Sequence, residues 1–501
     1  MASPTEVGPE LLDSGDVVAD LACSLASMAP LERNLVRATP AWQVLQSFGA
    51  ALGRTNQDLY ERSFPVDSIQ VFWSHSWHGN NFLKRLLLLL LYNGPPAAIA
   101  ATISALLVMS LQIAGYLPGF SRVSRMAMEQ EQETMAVRAP WSALTAGFVF
   151  VVVLLQWKAR SLVFLDRVCI NQRDKVQKSK GILSIGAFLK CSDQFLLVWD
   201  STFAGRLWLT AMAPCILGVG FANWASTIHF ILASEQSLLD ILLLVLTRWF
   251  FLYLTASYLR EHYRNTEIML KQLSDFTVQS ARCHCCNDGV TCTANVCDRA
   301  IIARCLQTWY GSVEAFEVTV RTKVRATLYR QLGGLLFPYG WQVMGSSGIL
   351  WGFADLIAAR GRTGNWTVVG VLVWGVLAWC LFLWPFMFQA TALLANYFRG
   401  DQGHVWLDRL KSVAVAFVAT ALSFLAQWSS SLVPDVFSAC LYCGGSAMLL
   451  GASHVALQYQ ARRTVPMLDS IKKDVPENRL PVVVGKPSED ELAAVPETGN
   501  E

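Results

Sequence analysis

The amino-acid sequence predicts a mainly α-helical protein that crosses a membrane about eight times and carries a small cytosolic α/β domain. Composition is the first reason, because 53% of the 501 residues are hydrophobic and 15% are charged, whereas soluble domains carry about 25% charged residues. The second reason is a series of apolar stretches that approach the roughly 20 residues a helix needs to cross a bilayer. The third is an uneven distribution of basic residues between those stretches.

Eight apolar stretches alternate with polar segments along the chain. They are residues 97–117, 141–157, 208–233, 238–258, 341–359, 367–395, 412–432 and 436–457. Placing residues 1–85 in the cytosol brings 34 of the 40 Lys and Arg residues to the cytosolic side, as the positive-inside rule requires. Both termini of this multi-pass protein are therefore predicted to be cytosolic. A net charge of +3 without a basic surface patch argues against nucleic acid as a partner.

The spans divide the chain into a split α/β domain, three membrane regions and the polar segments between them. In chain order, the predicted regions are a cytosolic, partly disordered N-terminal region (1–65), the first half of the α/β domain (66–94), a transmembrane hairpin (95–157), the second half of the α/β domain (158–207), another transmembrane hairpin (208–258), a Cys-rich and helical cytosolic segment (259–340), a four-span region (341–457) and a cytosolic tail (458–501). The tail is rich in proline and acidic residues, so it is predicted to be disordered.

Polar residues follow each of the apolar strands predicted for the α/β domain. The strands lie near 69–73, 162–165 and 195–199, and a helix that begins after the first strand is predicted to end at Pro95 and Pro96. Continuous apolar strands separated by helices predict a parallel sheet covered on both faces. The carboxyl ends of parallel strands meet at one crevice. The candidate crevice residues are Ser74, His75, Ser76, Asp166, Arg167 and Asp200. The alternative is that these are turn and helix-capping residues.

Two motifs in this domain resemble a known family. The first is VFWSHSWHG (71–79), which is similar to the first strand and loop of TIR domains, and the second is FLDRVCINQRD (164–174), which is similar to a stretch of HET domains. The arrangement resembles a group of protist multi-pass membrane proteins in which a helical hairpin splits such a domain. The resemblance implies a degenerate flavodoxin-like fold. It also implies NAD cleavage by a Glu, but Met212 stands at that position. A thioether cannot ionise as a carboxylate does, so no catalytic residue is assigned.

A cysteine cluster lies in the predicted cytosolic segment after the fourth span. Cys283, Cys286, Cys292 and Cys297 are spaced so that four thiolates could hold a structural zinc ion. The alternative is a cysteine-rich turn without metal. The following stretch, 297–321, has helical periodicity and is predicted to form a helix pair that binds a partner or lies along the membrane, with core packing as the alternative.

Arg248 and Asp355 lie well inside predicted spans, where ionisable groups are expensive. Arg248 lies near the middle of the fourth span and Asp355 in the outer part of the fifth. The two are predicted to form a structural pair that neutralises both charges, in preference to a transport relay.

The function predicted from these features is that of a membrane-anchored scaffold or signalling component with a non-catalytic cytosolic domain. Its expected partners are the lipid bilayer and either a second copy of the chain or a cytosolic protein. Three alternatives stay open at this point: a transporter or channel, an NAD glycohydrolase, and a signalling module that depends on zinc.

Overall fold

A computed structural model describes ten stretches of the chain and places in them a small mixed sheet beside a bundle of long helices. The described residues are 22–23, 25–53, 58–75, 81–119, 121–122, 137–198, 238–280, 298–329, 338–400 and 403–464.

Strands occur only in the first half of the described residues, and long helices dominate the second. The strands are β1 (Arg37–Pro40), β2 (Phe64–Pro65), β3 (Ile69–His75), β4 (Ser121–Arg122), β5 (Val137–Arg138), β6 (Leu162–Phe164) and β7 (Ser192–Val198). The helices are α1 (Ala41–Gly49), α2 (Asn81–Ile113), α3 (Trp141–Gln156), α4 (Asp166–Cys169), α5 (Lys175–Leu183), α6 (Ile185–Lys190), α7 (Leu238–Ser274), α8 (Asp298–Tyr310), α9 (Val313–Thr319), α10 (Arg325–Leu328), α11 (Tyr339–Arg362), α12 (Trp366–Leu377), α13 (Trp384–Tyr397), α14 (Val405–Ser431) and α15 (Val436–Thr464). Two π-helical segments join α9 to α10 (Val320–Val324) and α12 to α13 (Ala378–Leu383).

The five-stranded sheet joins segments from both sides of the first helical hairpin. Its strand order is β2-β1-β6-β3-β7. β3 pairs in parallel with β6 and with β7, which confirms the parallel arrangement predicted for these three strands. β1 and β2 add antiparallel pairs, so the sheet is mixed. The predicted division at residue 65 therefore separates segments that belong to one sheet, because β1 lies in the N-terminal region and pairs with β6.

Both faces of the sheet are covered by apolar side chains, as expected for near-continuous apolar strands. On one face, the ring of Phe72 stacks on Phe164 at 4.7 Å and on Phe195 at 5.8 Å, with ring centroids as the reference points. On the other face, Trp73 is buried and its Nε1 donates to the hydroxyl of Tyr92 on α2 at 2.9 Å. Neighbouring residues of β3 thus point to opposite faces, as strand geometry dictates.

Helix α2 is continuous for 33 residues through Pro95 and Pro96. The prediction that these prolines end one helix before a separate span begins was therefore wrong. Prolines are tolerated in membrane helices where neighbouring groups satisfy the backbone, and here α2 packs along its length against α3 and α11. Asn93 secures this region, since its Nδ2 donates to the carbonyl of Leu154 near the end of α3 at 2.8 Å.

Four helical segments are long and apolar enough to cross a membrane. They are Lys84–Ile113, Trp366–Tyr397, Val405–Ser431 and Val436–Tyr459, and α3 is a shorter apolar helix. Of the eight predicted spans, four therefore correspond to such segments among the described residues, and the total of eight stays a prediction. The third predicted span, 208–233, lies outside the described residues, and the fourth and fifth correspond to α7 and α11.

Helix α11 occupies the centre of the bundle although it is less apolar than the helices around it. More than half of its 24 residues are buried, and it packs against α2, α3, α12 and α13. Gly361 allows one of these approaches, because a Cβ atom there would lie 3.0 Å from Cγ1 of Ile113 on α2. Close contact of this kind is typical of small residues in membrane helices.

A π-helical segment interrupts the helix that joins α12 to α13, just before Pro385. Proline has no N–H to donate, so the carbonyl four residues earlier, that of Leu381, loses its helical partner. The hydroxyl of Tyr339 on α11 donates to that carbonyl at 2.7 Å. Ser346 lies two turns further along the same face of α11, and its hydroxyl donates to the carbonyl of Cys380 at 3.0 Å. Side chains of the central helix therefore satisfy the backbone groups that this irregular turn exposes.

A buried arginine fixes the junction of α7, α13 and α14. Arg260 is 1% exposed, and its guanidinium donates to the carbonyl of Phe398 at 2.9 Å and to Oδ1 of Asp408 at 2.7 Å. Arg264, one turn further along α7, donates to the same carboxylate oxygen at 2.7 Å. The contacts cap the carboxyl end of α13 and pair a buried cation with a carboxylate, which is the condition for keeping charge inside a protein.

An N-terminal segment connects the sheet to α8. Ala22 and Leu25 pack against Ile301 and Cys305 of α8, and Nε1 of Trp309 donates to the carbonyl of residue 26 at 2.8 Å. At its other end the segment reaches α5 through an ion pair between Glu32 and Lys180. The apolar side of α8, for which a partner was predicted, is thus covered in part by the chain's own N-terminal residues.

Candidate functional site at the carboxyl edge of the sheet

The carboxyl ends of β3 and β6 meet at one edge of the sheet, as parallel neighbours must. β3 ends with Ser74 and His75, which pair with the last residues of β7. β6 ends two residues before Asp166, which begins α4. The structure therefore brings four of the six predicted crevice residues to this edge, namely Ser74, His75, Asp166 and Arg167. The remaining two, Ser76 and Asp200, lie outside the described residues.

Two guanidinium groups converge on Gly53 at this edge. Arg167 donates from Nη1 to the carbonyl oxygen of Gly53. Arg85, in the second turn of α2, lies so close that a Cβ atom at Gly53 would overlap its Nη2. Sequence reasoning missed Arg85 and Gly53, because contacts between distant segments leave no local pattern. One signal was available in the sequence. Arg85 lies on the helix that follows β3, and Arg167 lies on the helix that follows β6.

The backbone before Gly53 adopts an uncommon conformation. Ser47, Phe48 and Gly49 all have positive φ, at 52°, 56° and 67°. The left-handed region costs about 1–2 kcal/mol for each residue that carries a Cβ. Contact between the rings of Phe48 and Phe82, whose centroids lie 5.4 Å apart, holds the turn against the start of α2. Backbone strain of this kind clusters at ligand-binding and active sites, so it marks this edge as a candidate site.

The CINQRD motif builds the turn that follows α4. Asn171 Oδ1 accepts the backbone N–H groups of residues 173 and 174 at 3.0 and 3.2 Å. Gln172 Nε2 donates to the carbonyls of Asp166 and Ile170. Asp174 Oδ1 accepts the N–H of Val176 at 2.8 Å and so caps the start of α5. The polar residues of the motif thus satisfy backbone groups, which is what the turn-and-capping alternative expects of such residues.

Cys169 of the same motif is part of the sheet core and is 2% exposed. Burial raises the pKa of its thiol to about 12. A thiol with that pKa is protonated near neutral pH, and the thiolate is the nucleophilic form. Cys169 is therefore a packing residue, and the reactive chemistry of a low-pKa cysteine is not available here.

Asp355 is a buried carboxylate inside the bundle that accepts three hydrogen bonds. The side chain is 1% exposed. Oδ1 accepts Nε2 of Gln112 at 2.8 Å and the N–H of Ser142 at 2.8 Å, and Oδ2 accepts the N–H of Ala143 at 3.1 Å. The carboxylate thus caps the first turn of α3, where the helix dipole favours negative charge. It ties α2, α3 and α11 together.

Arg248 has other partners, so the predicted pair with Asp355 was wrong. The Arg248 guanidinium donates to Oε1 of Gln427 at 3.0 Å and lies 5.0 Å from the ring centroid of Phe424 on α14. The two charged residues are separated because Arg248 faces α14, whereas Asp355 faces α2 and the start of α3. Gln427 lies four residues before the end of α14, so Arg248 is level with the end of that helix.

The predicted zinc ligands Cys283, Cys286, Cys292 and Cys297 lie outside the described residues, as does Met212. Within the described stretches, no group of three or more His, Cys, Asp or Glu side chains is arranged to hold a metal ion. Zinc binding and the loss of the catalytic Glu therefore stay predictions.

No family model, curated protein or solved structure matches the chain.

Proposed function

We propose that this protein is a membrane-anchored scaffold or signalling component whose non-catalytic α/β domain moves with its first membrane hairpin. The observation that supports this most directly is that α2 belongs to two cores. Leu88 and Leu89 pack in the core of the sheet, and the next residue, Leu90, packs with Ala97 in the core shared with α3 and α11. A helix of 33 residues is about 50 Å long, so a single rigid element joins the sheet to the bundle.

The connection between β3 and β6 strengthens the argument. Parallel neighbours need a crossover, which is usually one helix packed on the sheet. Here the crossover is the hairpin of α2 and α3, and both helices continue into the bundle. A displacement of this hairpin in the membrane would therefore be passed to the ends of two adjacent strands. Residues on those ends form the candidate site.

A non-catalytic role is supported by the chemistry of this edge within the described residues. Cys169 is buried with a raised pKa, and the polar groups of the CINQRD motif are occupied by the backbone. The sequence adds Met212 at the position of the family's catalytic Glu. The cytosolic location of the domain and the binding of a second copy or of a cytosolic protein are parts of the proposal that rest on the sequence prediction.

Hydrogen exchange of the full-length protein in nanodiscs tests the mechanical part of the proposal. Asp355→Ala removes the carboxylate that joins α2, α3 and α11, and we expect faster exchange in β3 and β6 although neither contains the substitution. The matched control is Asp435→Ala, because Asp435 also accepts a backbone N–H at the start of a helix, that of Ser438 at 2.9 Å, but on the exposed surface. Unchanged exchange in β3 and β6, with faster exchange confined to the bundle, would contradict the proposal.

Two assays on the same preparation address the alternative functions. Solute or ion flux through liposomes containing the protein would favour a transporter or channel. Loss of NAD over time would favour an NAD glycohydrolase. We expect neither flux nor loss of NAD. In a separate co-purification experiment, we expect that two differently tagged copies, or one copy and a cytosolic protein, purify together.

A further inference from the structure

We propose that Arg248 binds the phosphate group of a membrane phospholipid on the outside of the bundle, between α7 and α14. Both contacts that the structure gives its guanidinium are with uncharged groups. Nη1 donates to Oε1 of Gln427 at 3.0 Å, and the group lies 5.0 Å from the ring centroid of Phe424. A guanidinium has several N–H donors and keeps its charge in proteins, so these contacts leave most of its binding capacity unused.

A second arginine on the same helix shows what Arg248 lacks. Arg260, further along α7, is 1% exposed and forms an ion pair with the carboxylate of Asp408. Arg248 is only partly buried, and it has no carboxylate partner among the residues that the structure describes. A cation among apolar side chains is costly unless an anion accompanies it. The counter-ion of Arg248 therefore has to come from outside those residues.

The surface around Arg248 has the character of one that faces lipid. The large apolar side chains beside it on α7 and α14 are 50% to 63% exposed, namely those of Leu246, Phe250, Leu425 and Trp428. Helix α14 is also one of the segments that are long and apolar enough to cross a membrane. Exposed apolar side chains on such a helix face acyl chains, so phospholipid is the abundant source of anions at this surface.

The depth of Arg248 suits contact with a headgroup. Helices α7 and α14 run antiparallel, because Arg260 contacts Asp408 near the start of α14 whereas Arg248 contacts Gln427 near its end. Gln427 lies four residues before the last residue of α14, a rise of about 6 Å. Helical side chains lean toward the amino-terminal end of their helix, so Arg248 leans toward this end of the bundle. Long cationic side chains reach the membrane interface in this way, and an exposed tryptophan such as Trp428 is typical of that level.

The chemistry of the group selects a phosphodiester headgroup. A guanidinium can donate to two phosphate oxygens at once, which makes arginine well suited to phosphate. An anionic headgroup such as that of phosphatidylglycerol adds long-range attraction, whereas a diacylglycerol offers the same acyl chains without the phosphate. The inference rests on the membrane location in the proposed function but not on the coupling between sheet and bundle, so lipid binding and that coupling can fail separately.

Native mass spectrometry of the full-length protein in detergent tests the site, with dioleoyl phosphatidylglycerol as the probe and dioleoylglycerol as the reference. We expect the protein to retain phosphatidylglycerol and not diacylglycerol at the same concentration. Arg248→Gln should raise the dissociation constant of the most tightly held phosphatidylglycerol at least about tenfold, since charge-assisted hydrogen bonds are lost. Arg248→Lys keeps the charge and should restore part of the affinity. The control is Arg173→Gln, because Arg173 is 72% exposed and pairs with Asp58 in the α/β domain, and this variant should bind as the unaltered protein does.

Thermal unfolding of the same variants separates lost binding from lost folding. In detergent without phospholipid, Arg248→Gln should unfold at the temperature of the unaltered protein or above it, because the variant removes a charge without a described counter-ion. An ion pair with an acidic residue of the chain, of which Asp240 is the nearest in sequence, would instead make Arg248→Gln unfold at a lower temperature, and that result would overturn the proposal. Equal retention of phosphatidylglycerol by Arg248→Gln and the unaltered protein, equal retention of the two lipids, or loss of an oligomer in Arg248→Gln, as expected if a partner helix supplied a carboxylate, would also overturn it.

Discussion

Helices α11 and α15 differ in a way that explains how the bundle is organised. They are 24 and 29 residues long. α11 carries Gln342, Ser346 and Asp355 in buried positions, and it is not among the helices that qualify as spans by length and apolarity. α15 qualifies, yet only 17% of its most apolar stretch is buried within the bundle. Large side chains such as Phe437 and Met448 are each 73% exposed.

The difference teaches that apolar side chains here go with exposure on the outside of the bundle, while burial within the bundle goes with small and polar residues. A helix surrounded by other helices can satisfy its polar groups with theirs, as Asp355 does with α2 and α3. A helix that faces lipid has no such partners and must be apolar, because lipid offers no hydrogen bonds. Three predictions test this contrast, and a fourth concerns a segment outside the bundle.

The largest expected effect is that of Asp355→Ala. The substitution leaves the amide of Gln112 and two N–H groups of α3 without their acceptor, so we expect a loss of about 3 kcal/mol of unfolding free energy. Thermal unfolding in detergent measures it. Asp435→Ala, at the exposed start of α15, should lower stability far less. Equal losses in the two variants would mean that the interior position of Asp355 has no special importance.

Glycine substitutions compare the two helices directly. Gly361→Val on α11 places side-chain atoms against Ile113, where the Cβ alone would lie 3.0 Å from Cγ1, so we expect a loss of about 2 kcal/mol from overpacking. Gly444→Val on α15 meets nothing within 4 Å and should change stability by less than about 0.5 kcal/mol. Unfolding curves of both variants measure the two losses of free energy. Strong destabilisation by Gly444→Val would show that a partner covers α15.

Tyr339→Phe removes the hydroxyl that serves the carbonyl of Leu381 beside the π-helical segment. The expected loss is about 1 kcal/mol, the usual net contribution of one hydrogen bond. Tyr116→Phe is the control, because Tyr116 is 79% exposed. If both variants have the same unfolding free energy as the unaltered protein, the irregular turn needs no hydrogen bond from α11.

The smallest effect concerns the N-terminal segment, outside the bundle. The hydrogen bond from Lys180 lowers the pKa of Glu32 from its ordinary value of 4.5. A lowered folded-state pKa stabilises the segment above the ordinary pKa, and this contribution is lost as the pH falls through the folded-state pKa. Hydrogen exchange of residues 25–32 should therefore rise at acid pH in the unaltered protein beyond the intrinsic trend. Glu32→Gln should show no such rise, and identical pH profiles would argue against the ion pair.

Several features of the fold could be predicted from local pattern. Apolar runs at 69–73 and 162–165 predicted adjacent parallel strands, and the structure confirms them. The same reasoning placed helices in the regions of α7 and α11 to α15. Strand and helix periodicity are local properties of the sequence, so they can be recognised without knowing which segments pack together.

Other features could not be predicted, because they depend on which segments meet. Pro95 and Pro96 normally end a helix, but packing against α3 and α11 keeps α2 continuous. Arg248 and Asp355 carry opposite charges in predicted spans, yet their helices are not neighbours. Arg85 lies against Gly53 in the candidate site, and no spacing in the chain links the two residues.

The sequence by itself determined that most of this chain is helical and apolar enough for a membrane, and that a small sheet is assembled from segments on both sides of a hairpin. Those properties depend on composition and on periodicity along the chain. Only the tertiary structure decided which helix is central, which charges find acceptors and which arginines converge on one glycine. These outcomes depend on distances between residues far apart in sequence, and composition carries no information about such distances.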